Sequence, residues 1–228
     1  EFNRSHLQQY PGNSELEARM TDFEVAARMQ TVVPELLDLS GETAATRKMY
    51  GLDNPATAEY GSRCIIARRL IERGVRFVQL FLAGQPWDTH SKNAATLKTN
   101  CARVDQPSAA LVQDLKQRGL LDRTIVLWGG EFGRLPVSQG TDGRDHNRHA
   151  NSLWIAGGGF KSGFCYGKTD DFGYQAVENV VTVHDLHATL LHALGLDHQR
   201  LTYPHDGRPG SLTDVAITQA KVVPELLV

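Results

Sequence analysis

Carboxylate and imidazole side chains gather in three short stretches of this 228-residue chain. They are Trp87-Asp88-Thr89-His90, then Gly129-Gly130-Glu131-Phe132-Gly133-Arg134, then Arg144-Asp145-His146-Asn147-Arg148-His149. Neutral imidazole and carboxylate together form the ligand set of zinc and similar divalent ions. Asp88 and His90, two residues apart, reach one ion from an extended loop because alternate side chains share a side. The Asp145-His146-x-x-His149 run offers three donors within five residues, which suits a metal gathered by a loop. Glu131 directly follows an apolar run, where a carboxylate must be solvated, paired or metal-bound. Arg134 is a structural partner for it, or a fork for two non-bridging oxygens of an ester. Ordinary readings stand beside these: a solvated turn at Asp88-x-His90, and a surface hydrogen-bond network along 145–149. His184 and His187 serve equally well as capping or packing residues, and His192, His198 and His205 read as structural. The conjunction of the three stretches is more specific than any one of them.

Those clusters need elements to hold them. Apolar residues at Leu16, Met20, Phe23, Ala27 and Val32-Val33 have helical spacing, predicting a helix over 14–38 with a further turn from Pro34. A second helix starts at Pro55 and stops at Gly74, a third runs over 94–118, and a fourth over 184–194 ends at Gly195. Arg76–Leu82, Thr124–Gly130 and Ser152–Ala156 read as strands, the last two buried on both faces. Helices alternating with buried strands predict one α/β domain, three-layered, with a mostly parallel sheet. The clusters then lie beyond the strands' carboxyl ends, where such sheets place their sites.

Composition excludes several classes. The net charge of −2, from 24 basic and 26 acidic residues, argues against a nucleic-acid binder. No apolar run nears the roughly 18–20 residues of a membrane span, and Glu1-Phe2-Asn3-Arg4 opens no signal peptide. Cys64, Cys101 and Cys165 form no Cys-x-x-Cys pair, so they read as small buried hydrophobes rather than a thiolate site.

Five segments together resemble a bacterial sulfatase-like family, known only as a domain of unknown function, of the alkaline phosphatase superfamily. They are Ile66–Val78, Trp87–His90, Gly129–Arg134, Gly143–His146 and His184–Leu196. The resemblance implies an alkaline phosphatase-like α/β/α fold and hydrolysis of phosphate or sulfate esters at one or two divalent metals. It implies that Asp88 and His90 share one ion with His149, aided by His146 or Asp145. Zinc is the first expectation, manganese or calcium the alternatives. Glu131 and Phe132 stand where the superfamily has Asp and His of a second metal site, and Arg144, His184 and Asp185 fall around the ligands. The superfamily's nucleophile lies upstream of everything matched, so the resemblance implies a C-terminal portion lacking it. A chain cut there exposes apolar surface and would self-associate as a homo-oligomer.

The expected function is a metal-dependent hydrolase acting on a small anionic or activated ester, without a covalent intermediate. Glu131 and Arg134 are its catalytic residues, and neither a nucleic acid nor a membrane is a partner. The rival is a catalytically crippled chain that serves as a metal-binding or scaffold domain.

Overall fold

Asn13 begins the first long helix by capping it: its Oδ1 accepts from the Leu16 N–H at 3.0 Å, with Glu15 and Glu17 in the first turn. In the computed structural model the chain divides into two compact units, Glu1–Phe81 and Leu82–Val228. The structure describes residues 2–228, apart from the side chains of residues 2–4, 28, 29, 31 and 32. Glu1 of the opening tetrapeptide and the Val32 side chain of the apolar spacing lie outside what is described.

The first unit is helical: α1 (Phe2–Gln9), α2 (Ser14–Leu37), α3 (Ala44–Met49) and α4 (Ala58–Glu72). α2 runs on through Pro34 instead of restarting there. Its apolar spacing does not mark a buried stripe, since Phe23 is 69% exposed. The buried apolar side chains include Leu36, Tyr50, Cys64, Ile65 and Ala67, and beside them sits a charge network. Arg68 meets Glu42 at 2.6 Å and Glu72 at 3.1 Å, while Arg69 meets Glu42 at 2.7 Å. Arg69 also donates to the carbonyls of Leu36 and Asp38, which closes the end of α2.

The second unit opens with α5 (Asn93–Gln117), which keeps a buried Pro107 in its interior. Short strands follow: β1 (Val126–Trp128), β2 (Gly133–Arg134), β3 (His146–Asn147), β4 (Trp154–Ala156), β5 (Lys168–Thr169) and β6 (Ala176–Glu178). After α6 (Val183–Ala193) come the hairpin β7 (Thr202–His205) and β8 (Arg208–Ser211), and then α7 (Val215–Thr218). Asp206 and Gly207 turn that hairpin with positive φ, as a two-residue loop requires.

The expected three-layer parallel fold is not formed. Among the described residues every ladder is antiparallel, in four separate two-stranded sheets: β1–β4, β2–β3, β5–β6 and β7–β8. The physical reason lies in the connections. Parallel neighbours need a long crossover, usually a helix, whereas the chain between β1 and β4 is turns carrying the β2–β3 pair. Nor is β1 buried on both faces, since Leu127 is 46% exposed. Arg76–Leu82 joins no ladder, and Phe77 and Phe81 stand exposed along it. The cysteines divide as well: Cys64 is buried, Cys101 half-buried and Cys165 exposed.

β1 and β4 pair Trp128 directly with Trp154, and their rings stack with centroids 6.4 Å apart. Trp87 meets the edge of Trp128 at 5.8 Å, so the three tryptophans form one row ending beside Asp88.

Asp185 anchors α6. Its Oδ2 accepts from the Thr182 N–H and hydroxyl, and Thr182 Oγ1 accepts from the Asp185 N–H, a reciprocal capping box. Its Oδ1 accepts from the Lys221 N–H at 2.9 Å. Burial pushes this carboxyl up, but the Lys221 and Thr182 hydrogen bonds outweigh it and hold it below the ordinary range. A carboxyl lowered by folding stabilises above its unfolded pKa, and that contribution is lost as pH falls through the lowered value. Asp185→Ala should therefore cost about 2–3 kcal/mol at neutral pH, one lost cap plus one orphaned N–H. In urea titrations the variant's stability should also fall less steeply toward acid pH. An unchanged acid limb would show that the carboxylate contributes nothing.

Candidate metal centre

Thr89 is 3% exposed, and its burial turns the side chains on either side of it outward. Its Oγ1 bonds Asn93 Oδ1 at 2.6 Å, and its carbonyl accepts from the Arg144 N–H at 2.9 Å. The loop bearing Asp88 and His90 is thereby tied both to the start of α5 and to the chain entering β3. On the other side, β2 and β3 pair Arg134 directly opposite His146. Cross-strand partners share a face, and this face meets the loop.

Three groups converge on Asp88 Oδ1. Arg134 Nη2 lies at 2.7 Å, His90 Nε2 at 2.9 Å and His146 Nε2 at 3.2 Å. The ligand atoms of Asp88, His90 and His146 all lie within 4.8 Å of one another. The Arg134 hydrogen bond, the largest influence, together with the His146 bond and the charge of His90, outweighs desolvation and holds the Asp88 carboxyl below the ordinary range. Its stabilising contribution is therefore present above the ordinary carboxylate pKa and lost as pH falls through the lowered value.

Gln139 and Phe132 complete the cluster. Gln139 Oε1 lies 2.6 Å from His90 Nδ1, so Nδ1–H donates to it and Nε2 faces Asp88. A carbonyl partner of this kind fixes which imidazole nitrogen is offered to a metal. Phe132 packs its ring 4.3 Å from that of His146, and the Arg134 guanidinium lies over it at 5.6 Å. The family resemblance puts Phe132 in the place of a histidine ligand; in the structure it is the wall against which His146 rests. Gln139 carried no sequence signal, because its place depends on the isolated bridge between Gln139 and Gly143.

The other expected site residues fall elsewhere. His149 lies outside the cluster: its N–H donates to Asn147 Oδ1, its carbonyl accepts from the Ala176 N–H, and its ring stacks on Tyr174. Asp145 turns its Oδ1 to the His146 N–H at 2.7 Å and so positions that histidine. Arg144 donates to Ser138 Oγ and to the Gly143 carbonyl, a stitching role. Glu131 is exposed on the bend after β1. His184 is exposed on α6, and Asp185 is taken up by the capping box.

Gly143 is buried against the backbone of His90, and a Cβ there would overlap the His90 carbonyl oxygen. Rigid backbone cannot give way as a flexible side chain can. Gly143→Ala should therefore push the His90 loop off the β2–β3 pair and weaken divalent metal binding at least tenfold by calorimetry. The exposed Gly140→Ala has only its positive φ to contend with and should keep most of the affinity.

No curated protein and no solved structure matches the chain. A family model does match, over residues 1–227, and nothing in its description refers to sulfatases or alkaline phosphatases. The sulfatase-like placement is therefore corrected. The reading of the chain as the C-terminal portion of such an enzyme rested on that placement and falls with it. By this match the chain belongs to the family described as Protein of unknown function (DUF1501).

Proposed function

We propose that the Leu82–Val228 unit is a metal-dependent hydrolase of small phosphate- or sulfate-type esters, with one divalent ion held by Asp88, His90 and His146. The observation that carries this reading is the convergence of one carboxylate and two imidazole nitrogens within 4.8 Å, with a guanidinium on the same carboxylate. The donor set fits zinc. Tetrahedral bonds of about 2.0–2.2 Å hold neighbouring ligand atoms about 3.3–3.6 Å apart, so Asp88 Oδ1, at 2.9 and 3.2 Å from the two Nε2 atoms, would move outward by a few tenths of an ångström to take the ion. Manganese is the second choice for such a mixed set.

A divalent ion in such a set supplies Lewis acidity and lowers the pKa of coordinated water. The chain's own residues do the rest. Gln139 keeps the His90 proton on Nδ1 and leaves Nε2 as the donor toward the ion. Arg134 carries more N–H groups than Asp88 can accept, and its planar fork matches two oxygens of an anionic ester. Phe132 and Asp145 hold His146 in place from its ring face and its backbone.

The rival reading, a metal-binding module without turnover, is favoured by one observation. The side chains of His90 and His146 are 41% and 48% exposed, which is open for a site that must exclude water. Chromogenic phosphate and sulfate esters, offered to zinc- and manganese-loaded protein with and without chelator, decide between them. Chelator-sensitive release of the chromophore is expected. Stoichiometric metal with no turnover on any ester would leave only the module.

A further inference from the structure

Between Arg134 and Gln139, both part of the metal cluster, the chain passes Pro136 and Val137. These two residues line one side of an open pocket of about 460 Å³. Asp170, Phe172, Tyr174 and Gln175 line the other side. The two sides are fixed to the cluster independently. Val137 is two residues from Gln139, at most about 7 Å along the chain. The Tyr174 carbonyl accepts from Asn147 Nδ2 at 2.8 Å, and Asn147 follows His146 directly.

The lining decides what fits. Phe172 and Tyr174 present rings, Pro136 and Val137 present aliphatic surface, and Phe172 is 82% exposed with nothing packed over it. Asp170 is the charged member, and its carboxylate already accepts from the N–H groups of Phe172, Tyr174 and Gln175. It shapes the loop and repels a second anionic group. With Gln175 the remaining polar member, the lining favours an uncharged group with a large apolar face over an anionic one.

We infer that this pocket receives the apolar organic group of the ester whose anionic head meets Arg134 and the metal. The inference rests on the anion-binding site proposed above, and narrows its substrates to esters of hydrophobic, ring-sized alcohols or phenols. Sugar phosphates and nucleotides present less apolar surface to Pro136, Val137 and Phe172 and so gain less from contact there.

The test compares two probes with the same head and different tails, methylphosphonate and phenylphosphonate, titrated calorimetrically into zinc-loaded protein. Burying one phenyl ring should make phenylphosphonate bind about ten- to a hundredfold tighter. Phe172→Ala and Tyr174→Ala should each remove much of that preference while leaving methylphosphonate and zinc affinity unchanged. If Tyr174→Ala also weakens zinc binding, Phe172→Ala carries the test, since its ring supports nothing else. Equal affinity for the two phosphonates, or a preference that survives Phe172→Ala, would overturn the pocket assignment and leave the anion site standing. Binding of neither probe to zinc-loaded protein would overturn the anion site and the pocket together.

Discussion

Replacing His90 by alanine is expected to lower zinc affinity by at least a hundredfold, and His146→Ala should do the same. Each change removes one of three protein donors, and the remaining Asp88 and single imidazole cannot enclose an ion. His149→Ala should leave binding intact, because that ring stacks on Tyr174 outside the cluster. His198→Ala should also retain it, since His198 is buried against Thr213. Gln139→Ala should fall between, with a loss of about 10- to 100-fold, the usual cost of removing a group that orients a ligand. On esters, Arg134→Ala should cost on the order of 100- to 1,000-fold in rate while the metal stays bound. Glu131→Gln should keep both. Metal analysis after dialysis, paired with the chromogenic assay, reads all of these. Full occupancy in both His90→Ala and His146→Ala would sink the assignment, and metal loss in His149→Ala would restore the ligand set first read from the sequence.

Glu42→Ala should destabilise the helical unit by about 3–5 kcal/mol. The Glu42 side chain is 8% exposed and receives both Arg68 at 2.6 Å and Arg69 at 2.7 Å. Removing it leaves the Arg68 guanidinium, 4% exposed, without its nearest carboxylate, while Glu72 stays at 3.1 Å. Burying a charge whose main partner is gone is far costlier than losing a surface pair. Glu42→Gln keeps an acceptor and should fall between the two. Glu59→Ala removes an exposed i,i+4 pair with Arg63 and should cost less than about 0.5 kcal/mol. Denaturant unfolding followed by helical circular dichroism separates these cases. A Glu42→Ala loss no larger than that of Glu59→Ala would show the network to be ornamental.

The four longest helices were readable because their signals are local. Glycines 74, 119 and 195 stop three of them where expected, and the spacing of Cys64, Ile65, Ala67 and Arg68 marks the buried side of α4. Pro34 misled only in detail, since it sits inside α2 instead of opening a further turn. The sheet was not readable. The apolar runs at 124–130 and 152–156 look like the strands of a parallel core, yet pairing is set by connections that no run of residues displays. Asp206-Gly207 is the local exception, a dipeptide that favours the positive φ values of a two-residue hairpin loop. At the cluster, Asp88, His90, Arg134 and His146 could be chosen from residue type and spacing. His149 could not be separated from His146 that way. β3 ends at Asn147, whose side chain accepts from the His149 N–H and so turns the chain away.

The row of tryptophans makes the molecule its own spectroscopic instrument. All three of its indoles, Trp87, Trp128 and Trp154, lie in the Leu82–Val228 unit, and the first adjoins Asp88. Emission excited near 295 nm (roughly the red edge where tyrosine no longer absorbs) therefore reports on that unit alone, and on the neighbourhood of the Asp88–His90–His146 cluster. The helical unit is silent at that wavelength, but its helices carry much of the far-ultraviolet dichroism. Heating or urea followed by both signals resolves the melting of each unit without a label. Coincident transitions would show that the two units unfold as one cooperative body.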